Sequence, residues 1–66
     1  MKLAVNGGPL EVPDGLTVGE LLEHLGLATG LVAVEVNRAI VVRSAHAAHH
    51  LAEGDVVELV QLVGGG

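Results

Sequence analysis

The sequence contains no cysteine, no aromatic residue and only three basic side chains. The lack of cysteine excludes a disulfide framework, a thiolate metal site and a persulfide carried on a side chain. Without aromatic rings there is no platform for stacked bases, and a net charge of −5 argues against nucleic acid binding. Long apolar runs and a signal peptide are also missing, so we expect no membrane span and a cytoplasmic location.

Aliphatic residues are abundant. Half of the 66 residues are hydrophobic, which is enough for one small domain with a core of valine, leucine, isoleucine and alanine. A fold of this size has little room for a cleft in which several titratable groups converge. We therefore expect no catalytic residues and no enzyme active site.

The first third of the chain is typical of a β-hairpin followed by a helix. Leu3 and Val5 alternate with polar or small residues, Asn6-Gly7 is a strong hairpin signal, and the returning strand follows at 10–12. Thr17 and Glu20 have the spacing of a capping box. One apolar stripe follows, formed by Val18, Leu21, Leu22 and Leu25, and Gly26 is the expected terminator.

The remaining two thirds contain three further strand signals. Strands are predicted at 31–36 and 40–42, joined by a tight turn at Asn37-Arg38, and a last strand at 56–62. One or two helical turns are predicted at 44–51. The order of elements favours an α+β protein of the β-grasp (ubiquitin-like) class, with a mixed four- to five-stranded sheet and one main helix across one face. Residues 1–63 would form this single domain.

The last strand has apolar residues on both faces. Val57 and Leu59 are assigned to the helix side. The opposite face then carries Val56, Glu58, Val60 and Leu62. A sheet with one covered face should be polar on the other, so Val56, Val60 and Leu62 are interpreted as a partner-docking patch. Ordinary surface aliphatics, or a sheet partly covered by a loop, are the alternatives.

Three histidines, His46, His49 and His50, have a spacing that a helix would place on one side. Three imidazoles can form a zinc site, but no cysteine supports one and Glu53 is the only nearby carboxylate. We therefore interpret them as solvated polar residues on a short helix and predict no metal.

The sequence ends in Gly64, Gly65 and Gly66. Without Cβ atoms, these residues could form a slim flexible arm of about 10 Å that enters a narrow channel. The arm would present one reactive group, the carboxylate of Gly66. A frayed terminus is the alternative interpretation.

Several segments together resemble the ThiS family, the ubiquitin-like sulfur carrier proteins of thiamine biosynthesis. The segments are VEVN at 34–37, IVVR at 40–43, LAEGDVVE at 51–58 and the final Gly-Gly. The small subunit of molybdopterin synthase, a related carrier, usually has prolines before its Gly-Gly, where this chain has Leu62-Val63. A third glycine, Gly64, departs from the usual ThiS pattern.

The resemblance implies a mechanism centred on Gly66. A ThiF-like adenylyltransferase, using ATP and magnesium, would convert the Gly66 carboxylate to an acyl-adenylate. A sulfur donor such as a cysteine desulfurase system would then turn it into a thiocarboxylate for a ThiG-like thiazole synthase. Gly64, Gly65 and Gly66 would enter the partners' active sites, and the chain would be a co-substrate that binds no cofactor. The alternatives are a carrier for molybdopterin or another acceptor, and a non-catalytic binding module whose glycine end is inert.

Overall fold

Residues 1–62 form a five-stranded mixed sheet with one α-helix across it. These residues are the part of the chain that the computed structural model describes. The elements are β1 (Lys2–Val5), β2 (Gly8–Glu11), α1 (Val18–His24), β3 (Val32–Val36), β4 (Ala39–Val41) and β5 (Val56–Gln61). The strand order is β2-β1-β5-β3-β4; β1 and β5 are parallel and the other pairs antiparallel. This arrangement confirms the predicted β-grasp class.

Both hairpins turn through two residues with positive φ. Asn6 and Gly7 have φ of 49° and 83°, and Asn37 and Arg38 have φ of 51° and 71°. Two-residue turns of this left-handed kind match the right-handed twist of the strands that they join. Asparagine and glycine adopt this conformation readily, which accounts for the first turn. In the second turn Asn37 favours a positive φ, whereas Arg38 occupies the position that Gly7 has in the first.

The asparagine side chains of these turns bind the central strand β5 from both sides. Asn6 Oδ1 accepts a hydrogen bond from the Leu59 N–H (2.7 Å), and its Nδ2 donates to the Leu59 carbonyl (3.2 Å). Asn37 Oδ1 accepts from the Val56 N–H (2.9 Å), and its Nδ2 donates to the Asp55 carboxylate (3.0 Å). Each turn therefore also fixes the position of the strand that carries the predicted docking residues.

The predicted capping box at the start of α1 is confirmed. The Glu20 N–H donates to Thr17 Oγ1 (3.1 Å), and the Thr17 N–H donates to Glu20 Oε1 (2.9 Å). The hydrogen bond from the Thr17 backbone holds the pKa of Glu20 below its usual value. Gly26, with φ of 72°, follows the helix in the left-handed conformation expected of a terminator.

The one or two helical turns predicted at 44–51 are present as a short 3-10 helix (Arg43–Ala45) that continues into a hydrogen-bonded turn. In that turn the His49 N–H donates to the Ala45 carbonyl (2.9 Å). The carbonyls of His46 and His49 accept hydrogen bonds from the N–H groups of Gly19 and Val18, both at 2.9 Å. These carbonyls satisfy N–H groups of the first helical turn, which have no partner inside the helix.

The core lies between α1 and one face of the sheet and is aliphatic throughout, as the composition predicts. Its largest fully buried side chains are Leu3, Leu21, Leu22, Val18, Val34 and Val57. Full burial of one such side chain contributes about 1.5–3 kcal/mol. Among residues 1–62, no helix has the length and apolar character that a membrane crossing requires. The predicted glycine arm (64–66) and Val63 lie outside the described residues.

Candidate partner-docking face

The sheet face opposite α1, called here the open face, carries the predicted docking residues. Along β5, Val57 and Leu59 are buried on the helix side, whereas Val56 is 45% and Val60 is 59% exposed. Leu62, one residue beyond the strand, is 53% exposed. The predicted sidedness of β5 is therefore correct. Whether this face docks a partner stays a prediction.

Strand β4 adds an exposed residue to the open face that the sequence analysis did not name. Val41 is buried and pairs with Val34, so Ile40 points the other way and is 76% exposed. The signal was the alternation within a three-residue strand, which is too short to assign without its neighbours.

Exposed aliphatic side chains gather where the described chain leaves the sheet. The Leu62 N–H donates to the Leu31 carbonyl (2.7 Å), which holds Leu62 beside the start of β3. Val60 pairs with Ala33 in the sheet register, and Val42 and Leu62 line the same shallow groove. We call the four exposed residues Leu31, Val42, Val60 and Leu62 the exit corner.

The centre of the open face is acidic. Glu35 on β3 lies directly opposite Glu58 on β5, and both side chains are exposed. Within residues 1–62 the one ion pair joins the Met1 ammonium to Asp14 (2.8 Å), so neither carboxylate has a basic partner. The alternation of β5 predicts Glu58 on this face, but the opposition of Glu58 to Glu35 depends on strand register, which cannot be read from one strand.

The three histidines are not brought together. His46 is buried, with only 4% of its surface exposed; its Nε2–H donates to the Val41 carbonyl (3.0 Å). Its Nδ1 therefore accepts from the Thr29 hydroxyl (2.8 Å). His50 Nδ1 instead donates to the Gly15 carbonyl (3.2 Å). The interpretation of all three as solvated residues on a helix is wrong for His46, because the turn at this segment directs its ring inward.

The part of the chain described contains no group of three histidine, aspartate or glutamate side chains placed to hold a metal ion. The shifted pKa values belong to residues away from this face. A hydrogen bond to Asp14 raises the pKa of the Met1 ammonium, and the same contact lowers the pKa of Asp14.

Comparison with known proteins relates this chain to the ThiS family and to thiazole synthases. The ThiS family model matches residues 3–66. The sulfur carrier protein ThiS of Escherichia coli is 35% identical, with all of both chains covered. The thiazole synthases of Magnetococcus marinus and Paramagnetospirillum magneticum are 44% and 41% identical over this whole chain, which spans 20% of their length.

A solved structure agrees with these sequence relationships. The crystal structure of the thiamine biosynthesis protein ThiS from Geobacter metallireducens superimposes with a TM-score of 0.86 at 40% identity, with both chains fully covered. The similarity in fold and the similarity in sequence thus both cover the whole of the two chains. The chain belongs to the ThiS family, whose members include the sulfur carrier protein of Escherichia coli.

Proposed function

We propose that this chain is a sulfur carrier protein of thiamine biosynthesis and that it carries sulfur as a thiocarboxylate on Gly66. The observation that supports this most directly is the family match, which extends through the final glycine. The absence of cysteine adds to it, because no side chain of this sequence can hold a persulfide. The proposal requires that Gly66 carries a free carboxylate.

The chemistry at Gly66 needs two steps. A carboxylate is a poor electrophile, so its oxygen first attacks ATP, pyrophosphate leaves, and an acyl-adenylate forms. In the second step the terminal sulfur of the donor's persulfide attacks the carbonyl carbon and AMP leaves, which forms an acyl disulfide. A thiol then attacks the donor's own sulfur, so that the S–S bond breaks, the thiocarboxylate is released, and the donor and the thiol are left joined in a disulfide. ATP and magnesium belong to a ThiF-like adenylyltransferase, and a cysteine desulfurase system supplies the sulfur. We expect this exchange in the cytoplasm, where ATP is available.

In this proposal the open face recognises the partner enzymes. Val56, Val60 and Leu62 dock, together with the neighbouring Ile40, while the glycines at 64–66 enter the partner's active site. Leu62 of the exit corner precedes the predicted arm by two positions in the sequence, so contact there would bring the arm to a channel about 10 Å deep. The chain is consumed and regenerated, and so acts as a co-substrate.

Thiazole synthase is the proposed sulfur acceptor. Two relatives that bear this name contain a stretch matching the whole of this chain, within proteins about five times as long. A carrier-like segment within the same polypeptide as a synthase indicates that the two act together.

Intact-mass measurement tests the proposal. The protein is incubated with the adenylyltransferase of the same organism, ATP, magnesium and a sulfur source. We expect the mass change of one oxygen-to-sulfur exchange, which fragmentation places on Gly66. A variant that lacks Gly65 and Gly66 should keep the fold and show no exchange. An unchanged terminus in the full chain would favour the inert binding module.

The same preparation identifies the acceptor. The thiocarboxylate protein is offered in parallel to thiazole synthase and to the large subunit of molybdopterin synthase. Sulfur transfer to the thiazole product supports the proposal, whereas transfer only to molybdopterin would assign the chain to the related carriers.

A further inference from the structure

We propose that Glu35 and Glu58, at the centre of the open face, receive one cationic side chain of the partner enzyme, with an arginine fitting best. This inference rests on the proposed function, because it concerns the face through which a sulfur carrier would dock. Its first support is the register of the sheet. Glu35 and Glu58 are directly paired residues of β3 and β5, and like charges in such positions repel each other.

The repulsion is not relieved within the described part of the chain. Neither carboxylate has a basic group within ion-pairing distance among residues 1–62. The guanidinium of Arg43, one of three basic side chains, instead lies over Gly30. In the free protein, the two opposed carboxylates therefore make the fold less stable than uncharged residues at the same positions would.

The surroundings of the two carboxylates are apolar. Ile40 lies opposite Glu35 on the β4 side, and Val56 and Val60 flank Glu58 along β5. All three aliphatic side chains are exposed. When a partner covers this frame and removes water, an unpaired carboxylate at its centre becomes costly, whereas a carboxylate paired with a cation becomes favourable.

The difference between an unpaired and a paired carboxylate indicates which kind of partner group binds at Glu35 and Glu58. A purely apolar partner would bury both carboxylates without compensation. A second copy of this chain, with its own net charge of −5, would bring two more carboxylates to the same place. A guanidinium has a planar fork of donors, and adjacent strands lie about 4.8 Å apart, so one arginine can bridge both carboxylates.

The experiment uses full-length protein and the thiazole synthase and adenylyltransferase of the same organism. Association rates are measured at low and high salt for the wild type, Glu35→Gln/Glu58→Gln and Glu58→Lys. The control is Glu23→Gln, which removes one negative charge at an exposed position on α1, against two in the double variant. We expect the double variant to associate about tenfold more slowly at low salt, with a smaller difference at high salt. Glu23→Gln should change the rate less than twofold.

Thermal unfolding of the free proteins should change in the opposite direction to binding: the variants that bind more weakly should be at least as stable as the wild type. Removal of both like charges in Glu35→Gln/Glu58→Gln should leave Tm unchanged or raise it, and Glu58→Lys should raise it further by pairing with Glu35 across the strands. Weaker binding by a more stable protein supports a recognition role. A double variant that binds like Glu23→Gln, or that binds poorly because it is unfolded, overturns the inference.

Two further outcomes separate this inference from the proposed function. If the wild type binds neither enzyme, the proposed partners fail, and this inference fails with them. If the wild type binds and transfers sulfur but the double variant is unaffected, only the cationic occupant is refuted. Dimerisation of the free chain that strengthens in Glu35→Gln/Glu58→Gln would identify a second copy as the occupant and would also refute it.

Discussion

Replacement of Asn6 by aspartate removes one specific hydrogen bond from the central strand. In the wild type, Asn6 Nδ2 donates to the Leu59 carbonyl while Oδ1 accepts from the Leu59 N–H. Aspartate tolerates the same positive φ and can still accept, so Asn6→Asp changes the donor and little else. It places a carboxylate oxygen against a partly buried carbonyl oxygen.

The expected loss of stability follows from the replacement of the Nδ2 donor by a carboxylate oxygen. A lost hydrogen bond contributes about 0.5–1.5 kcal/mol, and the unsatisfied, repelled carbonyl adds to it. We expect Asn6→Asp to lower the free energy of unfolding by about 1–2 kcal/mol. For a domain of this size that corresponds to a fall in Tm of roughly 5–15 °C.

Thermal unfolding followed by circular dichroism measures this effect, and pH provides the control. Below the pKa of aspartate the carboxyl group regains a proton that it can donate to the Leu59 carbonyl. The difference in Tm between Asn6→Asp and the wild type should therefore shrink on acidification. An unchanged Tm at neutral pH would refute the view that this side chain holds β5 in place.

Three other changes test the fold, its pH dependence and the open face. Thr17→Ala removes the capping box and should cost about 1 kcal/mol in urea unfolding, whereas Thr17→Ser should cost less, and equal losses would contradict the capping role. The Met1–Asp14 pair should stabilise the fold most between about pH 4 and pH 8. The ammonium contribution is lost as pH rises through its raised pKa, and the Asp14 contribution is lost as pH falls through its lowered pKa. Asp14→Asn should flatten the stability profile at both ends, and an unaltered profile would exclude the pair as its cause. Val60→Asp should abolish binding to thiazole synthase with a stability change within about 0.5 kcal/mol, and an unfolded variant would place Val60 in the core.

The sequence predicted those features that depend on neighbouring residues. The Asn6-Gly7 turn, the Thr17–Glu20 capping box and the alternation of β5 all follow from interactions that span a few positions. Each can be recognised because the physical requirement and the residues that satisfy it lie close together in the chain.

Features that depend on distant partners could not be predicted. The opposition of Glu35 and Glu58 depends on strand register, which is fixed only when β3 and β5 meet in the sheet. The burial of His46 depends on Thr29 and on the Val41 carbonyl, both contributed by other segments. The helical turn near residue 44 is local, but the hydrogen bonds from the Val18 and Gly19 N–H groups to the His49 and His46 carbonyls depend on α1.

The position of β5 has a consequence for how the protein is made. It is the last strand along the chain, yet it lies in the middle of the sheet, between β1 and β3. Until it emerges from the ribosome, no strand pairing joins the β1–β2 hairpin to the β3–β4 hairpin, and isolated hairpins are barely stable in water. Synthesis that stops before Val56 would therefore yield polypeptides that cannot complete the sheet and are open to proteolysis.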